Sequence, residues 1–248
     1  DGTSKRPSVT VMDGSTTLTN GTDYSVSYSN NIYAGTATVR ITGTGNYSGT
    51  ITKTFTISRR SVTIKADSQT ISYGSSIGYG TSYITVSGLA SGDSVTSISL
   101  SQSTNNVTSS GYITPSNATI KSGSIEVTSS YNISYQTGTL VITVSKTATT
   151  GSCNSLTYDG SSQLLASGGS NVTYSNNYGT SSGSYSVTVT TNSNYAFSDG
   201  STSKTLSCSI SSRSLTIKAN DQTINYGSSI ETGTGYITVS GLASGDSV

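Results

Sequence analysis

Apolar residues alternate with Ser and Thr in short runs along the whole chain. The stretches GTATVRITG (35–43) and GTLVITVS (138–145) each place apolar side chains at every second position. Since successive side chains of a β-strand point to opposite faces, this period of two predicts strands with one buried face. Turns rich in Gly and Asn separate the runs, as in GTGNYSG (43–49). The pattern therefore predicts an all-β fold.

The composition indicates several small cores and a nearly neutral surface. Only 31% of the 248 residues are hydrophobic, with no Trp and 2 Phe, so one large core is not expected. Only 9% are charged and the formal net charge is +1. Such a chain has no field to attract a phosphate backbone or an anionic membrane surface, so no nucleic acid partner is expected. No apolar run reaches the roughly 20 residues of a membrane span.

A long internal repeat shapes the chain. Residues 61–95 align with 214–248 without a gap, an offset of 214 − 61 = 153, and both copies contain YITVSGLASGDSV letter for letter. One turn of a solenoid spans only about 20 to 50 residues, so the repeated object is a domain or a pair of domains.

Four segments in two alternating types fit this repeat. The first has predicted strands near 8–11, 24–29, 35–43 and 50–58. The third resembles the first, since its stretch YSNNYGTSSGSYSVTV is similar to YSNNIYAGTATV of the first. The fourth repeats the beginning of the second. We predict segments at 1–58, 59–146, 147–211 and 212–248, of which the first lacks its beginning and the fourth its end.

The junctions between segments show a change of side-chain parity. Phe55 and Ile57 are odd-numbered, whereas Val62 and Ile64 are even-numbered, so the inward face switches across Arg59 and Arg60. The second junction switches in the same way around Arg213, between two sets of apolar residues: Leu206, Cys208 and Ile210 before it, and Leu215 and Ile217 after it. No Gly or Pro separates the flanking strands, which predicts a stiff, end-to-end rod.

Two sets of motifs carry a resemblance to known repeats. LTIKANDQTINYGSSI, YITVSGLASGDS and YNISYQTGTLVITVS resemble the MBG domain, a bacterial immunoglobulin-like repeat of large surface adhesins. The stretch LTNGTDYSVSYSNNIYAGTATVRITGTGNYSGTITKTFTIS is similar to repeats in surface proteins of Gram-positive bacteria. The resemblance implies tandem immunoglobulin-like β-sandwich modules in an extracellular stalk, on the cell surface or secreted. It offers no catalytic residue and no cofactor.

The residues themselves also argue against an enzyme. His is absent, and Glu126 and Glu231 lie in different segments. Most Asp residues occupy DGS or GDS turns, where their local hydrogen bonds explain them. STSK (201–204) matches a Ser-Lys nucleophile motif that needs a helical turn, and GTGNYSG lacks the helix of a phosphate-binding loop. Calcium held by Asp67 or Asp221 would lack clustered carboxylates, so no metal site is expected.

A disulfide is expected from the export that the resemblance implies. Cys153 and Cys208 are the only cysteines and fall on the apparent first and last strands of the third segment, so we predict a disulfide between them. An isopeptide bond between Lys65 and Asn132, assisted by Glu126 or Asp93, is an alternative to ordinary exposed lysines.

Two functions remain open at this stage. The preferred one is a structural array, a stalk or filament whose partners are neighbouring repeats or subunits. The alternative is a module that binds glycans or host proteins through some of the 17 Tyr, although Tyr also supplies bulk to a core without Trp. Asp1 aligns with Asp159 and Val248 with Val95, so missing strands of the outer segments are expected from the same polypeptide or from a neighbouring subunit.

Overall fold

The computed structural model describes residues 2–248 and confirms the all-β prediction, with 51% strand and 4% helix. The chain forms two compact units, the first running to Thr143 and the second covering Val144–Val248. Each unit therefore holds about two of the predicted segments, whose division stays a prediction. Residue 1 of the first predicted segment lies outside the described residues.

The beginning of the first unit contains two antiparallel sheets. Its strands are β1 (Met12–Asp13), β2 (Thr16–Thr17), β3 (Tyr24–Ser29), β4 (Gly35–Gly43) and β5 (Thr50–Ile57). β3, β4 and β5 pair in sequence order, and β1 pairs with β2 as a separate hairpin. The expected strands at 24–29 and 35–43 are confirmed, and the one at 50–58 ends one residue earlier.

The strand predicted at 8–11 is wrong. Tyrosine hydroxyls, rather than a strand ladder, occupy backbone carbonyls in and just before this stretch: Tyr24 donates to Val9 O at 3.3 Å, and Tyr28 donates to Pro7 O. Pro7 also has no N–H to give to a ladder. The side chains of β3 thus hold the stretch in place without making it a strand.

The rest of the first unit contains two sheets. The strands are β6 (Arg60–Ala66), β7 (Gln69–Ser72), β8 (Ile84–Ser87), β9 (Asp93–Gln102), β10 (Thr108–Ser122), β11 (Ile125–Glu126), β12 (Tyr131–Gln136) and β13 (Gly138–Thr143). Short 3-10 helices lie at Thr81–Tyr83 and Thr128–Ser130. One sheet has the order β12-β6-β8, and the other has β11-β10-β13-β7 with β9 beside β10. Two pairs are parallel, β12 with β6 and β13 with β7.

The core of this unit lies between those two sheets. It has two clusters of buried side chains, one of Ala66, Ile77, Leu100, Ile113, Leu140 and Ile142, the other of Val62, Ala90, Ile120, Val127 and Tyr131. Both clusters combine a residue of β6 with residues of β10. Burying these side chains from both sheets is what fixes the sheets face to face.

The parity switch predicted at the first junction is confirmed. Before the junction, Phe55 and Ile57 are half-buried while the residues between and beside them are exposed. After it, Val62 and Ile64 are buried, at 2% and 0% exposure. The inward face therefore changes from odd to even numbers within a few residues.

The second unit has smaller sheets. Its strands are β14 (Ser152–Cys153), β15 (Leu156–Thr157), β16 (Gln163–Leu164), β17 (Ala166–Ser167), β18 (Val172–Ser175), β19 (Tyr178–Gly179), β20 (Gly183–Thr191), β21 (Ser203–Ser211), β22 (Thr216–Ala219) and β23 (Ile237–Ser240), with a 3-10 helix at Thr234–Tyr236. The largest sheet has the order β15-β21-β20-β18, while β14 pairs with β17, β16 with β19 and β22 with β23. The core again takes alternate residues, including Val187, Val189, Cys208 and Ile210.

At the second junction the predicted inward face is only half correct. Cys208 and Ile210 are buried, but Leu215 and Ile217 are 47% and 54% exposed. Their counterparts in the first unit are covered by a second sheet, whereas β22 and β23 form a sheet of two strands. The prediction that Leu215 and Ile217 face a core is therefore wrong among the described residues.

Candidate junction sites and the disulfide

A disulfide joins Cys153 and Cys208, as predicted, with an S–S distance of 2.03 Å and a Cα–Cα distance of 5.4 Å. It connects β14, in a two-stranded sheet, to β21, in the four-stranded sheet. Cys208 is buried among Leu165 and Val187, so the bond anchors the start of this region to its core. The equivalent of Cys208 in the first unit, 153 positions earlier, is the half-buried Phe55.

The arginine that follows each junction makes a defined backbone contact. Arg60 Nε donates to Gly88 O at 2.6 Å, and Arg213 Nε donates to Gly241 O at 2.7 Å. Both glycines have positive φ, and a Cβ on either would meet the carbonyl oxygen of Ser61 or Ser214 at 2.6 or 2.3 Å. Only glycine fits so close to the first strand. Arg60 thus helps to fix the loop after β8.

A half-buried aspartate and a buried tyrosine form a pair beside this loop in the first unit. Tyr131 donates its hydroxyl hydrogen to Asp93 Oδ2 at 2.5 Å and accepts the Ala90 N–H at 2.9 Å. Burial, followed by the bond to Asp93, raises the pKa of Tyr131 above its ordinary value, so the hydroxyl stays protonated and donates at neutral pH. The other carboxylate oxygen, Asp93 Oδ1, is buried without a hydrogen-bond partner.

The matching aspartate of the second unit bonds across its junction. Asp246, 153 positions after Asp93, accepts the hydroxyl of Tyr158 at 3.1 Å, and this bond is the main reason that the pKa of Tyr158 is raised. Gly160 lies close by, since a Cβ there would meet Ser244 O at 2.7 Å. In the first unit, Gly2 and Ile57 line a small cavity together with Asp93 and Tyr131. The same GLASGDS loop thus adjoins the preceding predicted segment in both units.

A second repeated contact uses the YSNN motif. The first Asn of each pair, Asn30 or Asn176, has a left-handed backbone with φ of 55° or 56°. The second is buried, and Asn177 bonds both the N–H and the carbonyl of Ala166, at 2.8 and 2.9 Å. Asn31 bonds the carbonyl of Lys5 at 2.7 Å in the same way. The sequence showed this motif as a repeat, and its polar core role was missed.

The two motifs that match enzyme chemistry have structural roles. Ser201 Oγ donates to Asp199 Oδ1 at 2.7 Å, while Lys204 forms an ion pair with Asp199 at 3.0 Å and lies 5.0 Å from the ring centre of Phe197. Bonds from Ser201, and then Lys204, lower the pKa of Asp199. Ser201 and Lys204 therefore both bind the Asp199 carboxylate, instead of forming the Ser-Lys pair of a nucleophile. GTGNYSG closes the β4–β5 hairpin, with Gly43 N–H donating to Gly49 O at 3.0 Å.

The register between β6 and β12 argues against the isopeptide alternative. Lys65 lies opposite Gln136, and Asn132 lies opposite Ser61, four residues along the parallel pair. At about 3.3 Å per residue, this separation is about 13 Å, too far for a bond between the two side chains. Lys65 and Asn132 are thus independent exposed residues.

Metal-ligating side chains are dispersed. Residues 2–248 contain no group of three His, Cys, Asp or Glu side chains that could hold a metal ion. Asp67, considered from sequence as a calcium ligand, accepts the Thr85 hydroxyl at 2.9 Å. Asp221 follows β22 outside any strand. Neither Asp67 nor Asp221 therefore belongs to such a group of three.

Most tyrosine hydroxyls that have partners bind the chain's own backbone or an aspartate, including those of Tyr24, Tyr28, Tyr47, Tyr131, Tyr135, Tyr158, Tyr174 and Tyr185. Tyr79 is one of several exposed tyrosines, and its side chain, 57% exposed, lies at the edge of a shallow groove in the first unit. Tyr73, Gln102 and Asn105 also line this groove. An aromatic face beside amide groups is the arrangement that a sugar ring could use.

The chain matches no protein-family model and no curated protein sequence. The resemblance to MBG repeats therefore stays a prediction. The helices found among residues 2–248 are single 3-10 turns, none of them long or apolar enough to cross a membrane.

Proposed function

We propose that this chain is part of a structural repeat array, a stalk or filament of a bacterial surface or secreted adhesin-like protein. Its modules are tandem immunoglobulin-like β-sandwiches. The observation that carries the proposal is the repeated junction: the GLASGDS loop adjoins the preceding predicted segment in both units, through the bond from Tyr158 to Asp246 in the second and beside Ile57 in the first. A spacer needs such a standard connection, because each module must join the next in the same way.

The distribution of strand pairs supports separate modules. Every ladder among residues 2–248 joins strands of one predicted segment, and the isolated bridge between Ser145 and Tyr195 joins the last residues of the second segment to the third. Each segment also contributes buried side chains, although the fourth contributes only Ala243 among the described residues. Modules with separate cores can be repeated without changing their neighbours.

The short connections support stiffness. β5 ends at Ile57 and β6 begins at Arg60, while β21 ends at Ser211 and β22 begins at Thr216. Neither connection contains Gly or Pro. Flexible linkers are longer and rich in Gly and Ser, so these two connections favour stiff junctions within each unit.

The disulfide supports the extracellular location in this proposal. Disulfides such as Cys153–Cys208 persist in oxidising surroundings and are rare in reducing ones. The low net charge and the absence of His are equally suited to a passive, polar spacer.

A second candidate function is glycan binding at the groove beside Tyr79. The exposed ring of Tyr79 and the amides of Gln102 and Asn105 favour it. In the second copy of the repeat, the position of Tyr79 is occupied by Thr232, so this groove would be special to the first copy. Glycan binding would then depend on the Tyr79 side chain, which the second copy of the repeat lacks.

Glycan and host-protein arrays probed with the full chain separate the two functions. We expect no selective binding, because a spacer presents other domains and has no recognition site of its own. A selective signal that Tyr79→Thr abolishes would contradict the spacer function and support the groove. The matched control is Tyr178→Thr, which removes another tyrosine, 67% exposed, from the second unit and should leave any such signal unchanged.

A further inference from the structure

The two copies of the repeat are nearly identical in sequence but differ in how far their side chains are buried. Residues 61–95 and 214–248 differ at seven of 35 positions, leaving 35 − 7 = 28 identical. Ile77 of the first copy is 3% exposed, whereas its identical counterpart Ile230 is 64% exposed. The same contrast holds for a row of apolar side chains, here called the open hairpin face: Leu215, Ile217, Ile224, Tyr226 and Ile230.

The secondary structure of the two copies differs in the same place. Gln69–Ser72 forms β7, paired in parallel with residues 140–143 of β13. The matching residues 222–225 belong to no strand, although their first three residues are the same Gln-Thr-Ile. Strand formation here thus follows the presence of a pairing strand rather than the local sequence.

The first copy shows what covers this face. β12 pairs in parallel with β6 from Tyr131 opposite Arg60 to Gln136 opposite Lys65, and β13 pairs with β7. The covering strands also supply large buried side chains to the core: Leu100, Ile113, Ile120, Leu140 and Ile142. Residues 61–95 are duplicated almost unchanged as 214–248. The second copy therefore has apolar side chains at the matching positions and the same strand edges for covering strands to pair with.

We propose that the open hairpin face is a strand-addition site for a segment with the residue pattern of 96–145, carried by the same polypeptide. One strand of that segment pairs in parallel with residues 213–218, in the register of β12 on β6, and another pairs with residues 222–225. The inference rests on the proposed array function and specifies how the fourth segment is completed.

Two considerations select the same polypeptide as the source. In the first copy the covering strands follow the hairpin directly in sequence, and a tethered segment has a far higher effective concentration than a separate one. A second copy of this chain gains nothing by lending its own residues 96–143, because its hairpin at 61–95 would then lose the same cover. Exchange between copies therefore leaves as much apolar surface exposed as it covers.

The test lengthens the full chain with a copy of residues 96–145 placed after Val248. Hydrogen exchange is followed by mass spectrometry on residues 220–226 (NDQTINY), which differ in sequence from residues 67–73 (DSQTISY) of the first copy. We expect exchange at 222–225 to slow at least tenfold, toward the rate at 69–72. The matched control places Asp at the positions of Leu140 and Ile142 in the added copy only, and it should exchange as fast as the original chain.

A third sample mixes the original chain with the free 96–145 segment at micromolar concentration and should show no protection. Fast exchange at 222–225 in the lengthened chain, while 69–72 stays protected in the same molecules, would overturn the proposal. Equal protection by the free segment would overturn the choice of source, since separate chains would then supply the strands. Selective glycan binding would instead contradict the spacer function and leave this strand addition intact.

Discussion

Removing the disulfide is expected to lower the free energy of unfolding of the second unit by about 4 kcal/mol. The change is Cys153→Ser with Cys208→Ala, chosen because Cys153 is exposed and Cys208 is buried. The bond spans 55 positions of sequence, and closing a loop of this length restricts the unfolded chain by about that amount in the chain-entropy model. Such a loss is a large share of the stability of a small β domain.

Hydrogen exchange under increasing urea measures this loss in each unit of the variant. The protection of β20 and β21 should fall, whereas that of β9 and β10 should stay as it is, because the first unit contains no cysteine. A thiol reductant added to the original chain should reproduce the effect. Equal protection of β20 and β21 with and without the bond would show that packing around Leu165 and Val187 suffices.

Ile64→Ala and Ile217→Ala are expected to differ by about 3 to 4 kcal/mol in their effect on stability. These are matching positions of the repeat, 153 residues apart, in the shared sequence TIKA. Ile64 is fully buried and Ile217 is 54% exposed. A buried Ile→Ala change removes packing and leaves a cavity, at a cost of about 2 to 5 kcal/mol, whereas an exposed one has little effect.

Urea unfolding of the two single variants, read by hydrogen exchange in β6 and β22, checks this expectation. Ile64→Ala should destabilise the first unit, and Ile217→Ala should leave the second unit within about 0.5 kcal/mol of the original chain. Because the local sequence is shared, the pair isolates burial from strand propensity. A large loss for Ile217→Ala would mean that the open hairpin face is covered in solution.

The period of two predicted most of the first unit correctly because its strands each have one wet and one buried face. β3 and β4 have the predicted bounds, and Ala37 and Val39 of β4 are buried as their alternation requires. The stretch at 8–11 has a similar local pattern, but Tyr24 binds the carbonyl of Val9 and Tyr28 binds that of the preceding Pro7. A tyrosine that reaches across from another strand leaves no signal in the pattern of the stretch it binds.

The repeat also shows where local sequence stops being informative. Residues 69–72 and 222–225 begin with the same three residues, and only the former make a strand. The difference comes from β13, which lies some 70 residues further along the chain. Strand formation of this kind depends on a partner, so no reading of the four residues alone could decide it.

Of the candidate sites, only the disulfide could be predicted from the sequence. Two cysteines on outer strands identify one possible pair, whereas the bonds of Arg60 to Gly88 and of Asp246 to Tyr158 require the fold to bring distant residues together. A signal was nevertheless present, because GLASGDS is repeated without change while neighbouring loop positions such as Tyr79 and Thr232 differ. The unchanged loop is the one that adjoins the preceding segment in both units.

Small-angle X-ray scattering of the original chain in dilute solution tests the central claim, an end-to-end array of modules, most directly. A compact domain of 248 residues has a radius of gyration of about 18 Å. The array predicts a value larger by at least about half, with the long asymmetric distance distribution of an extended particle. A radius near 18 Å at all concentrations would contradict the array and the spacer function built on it.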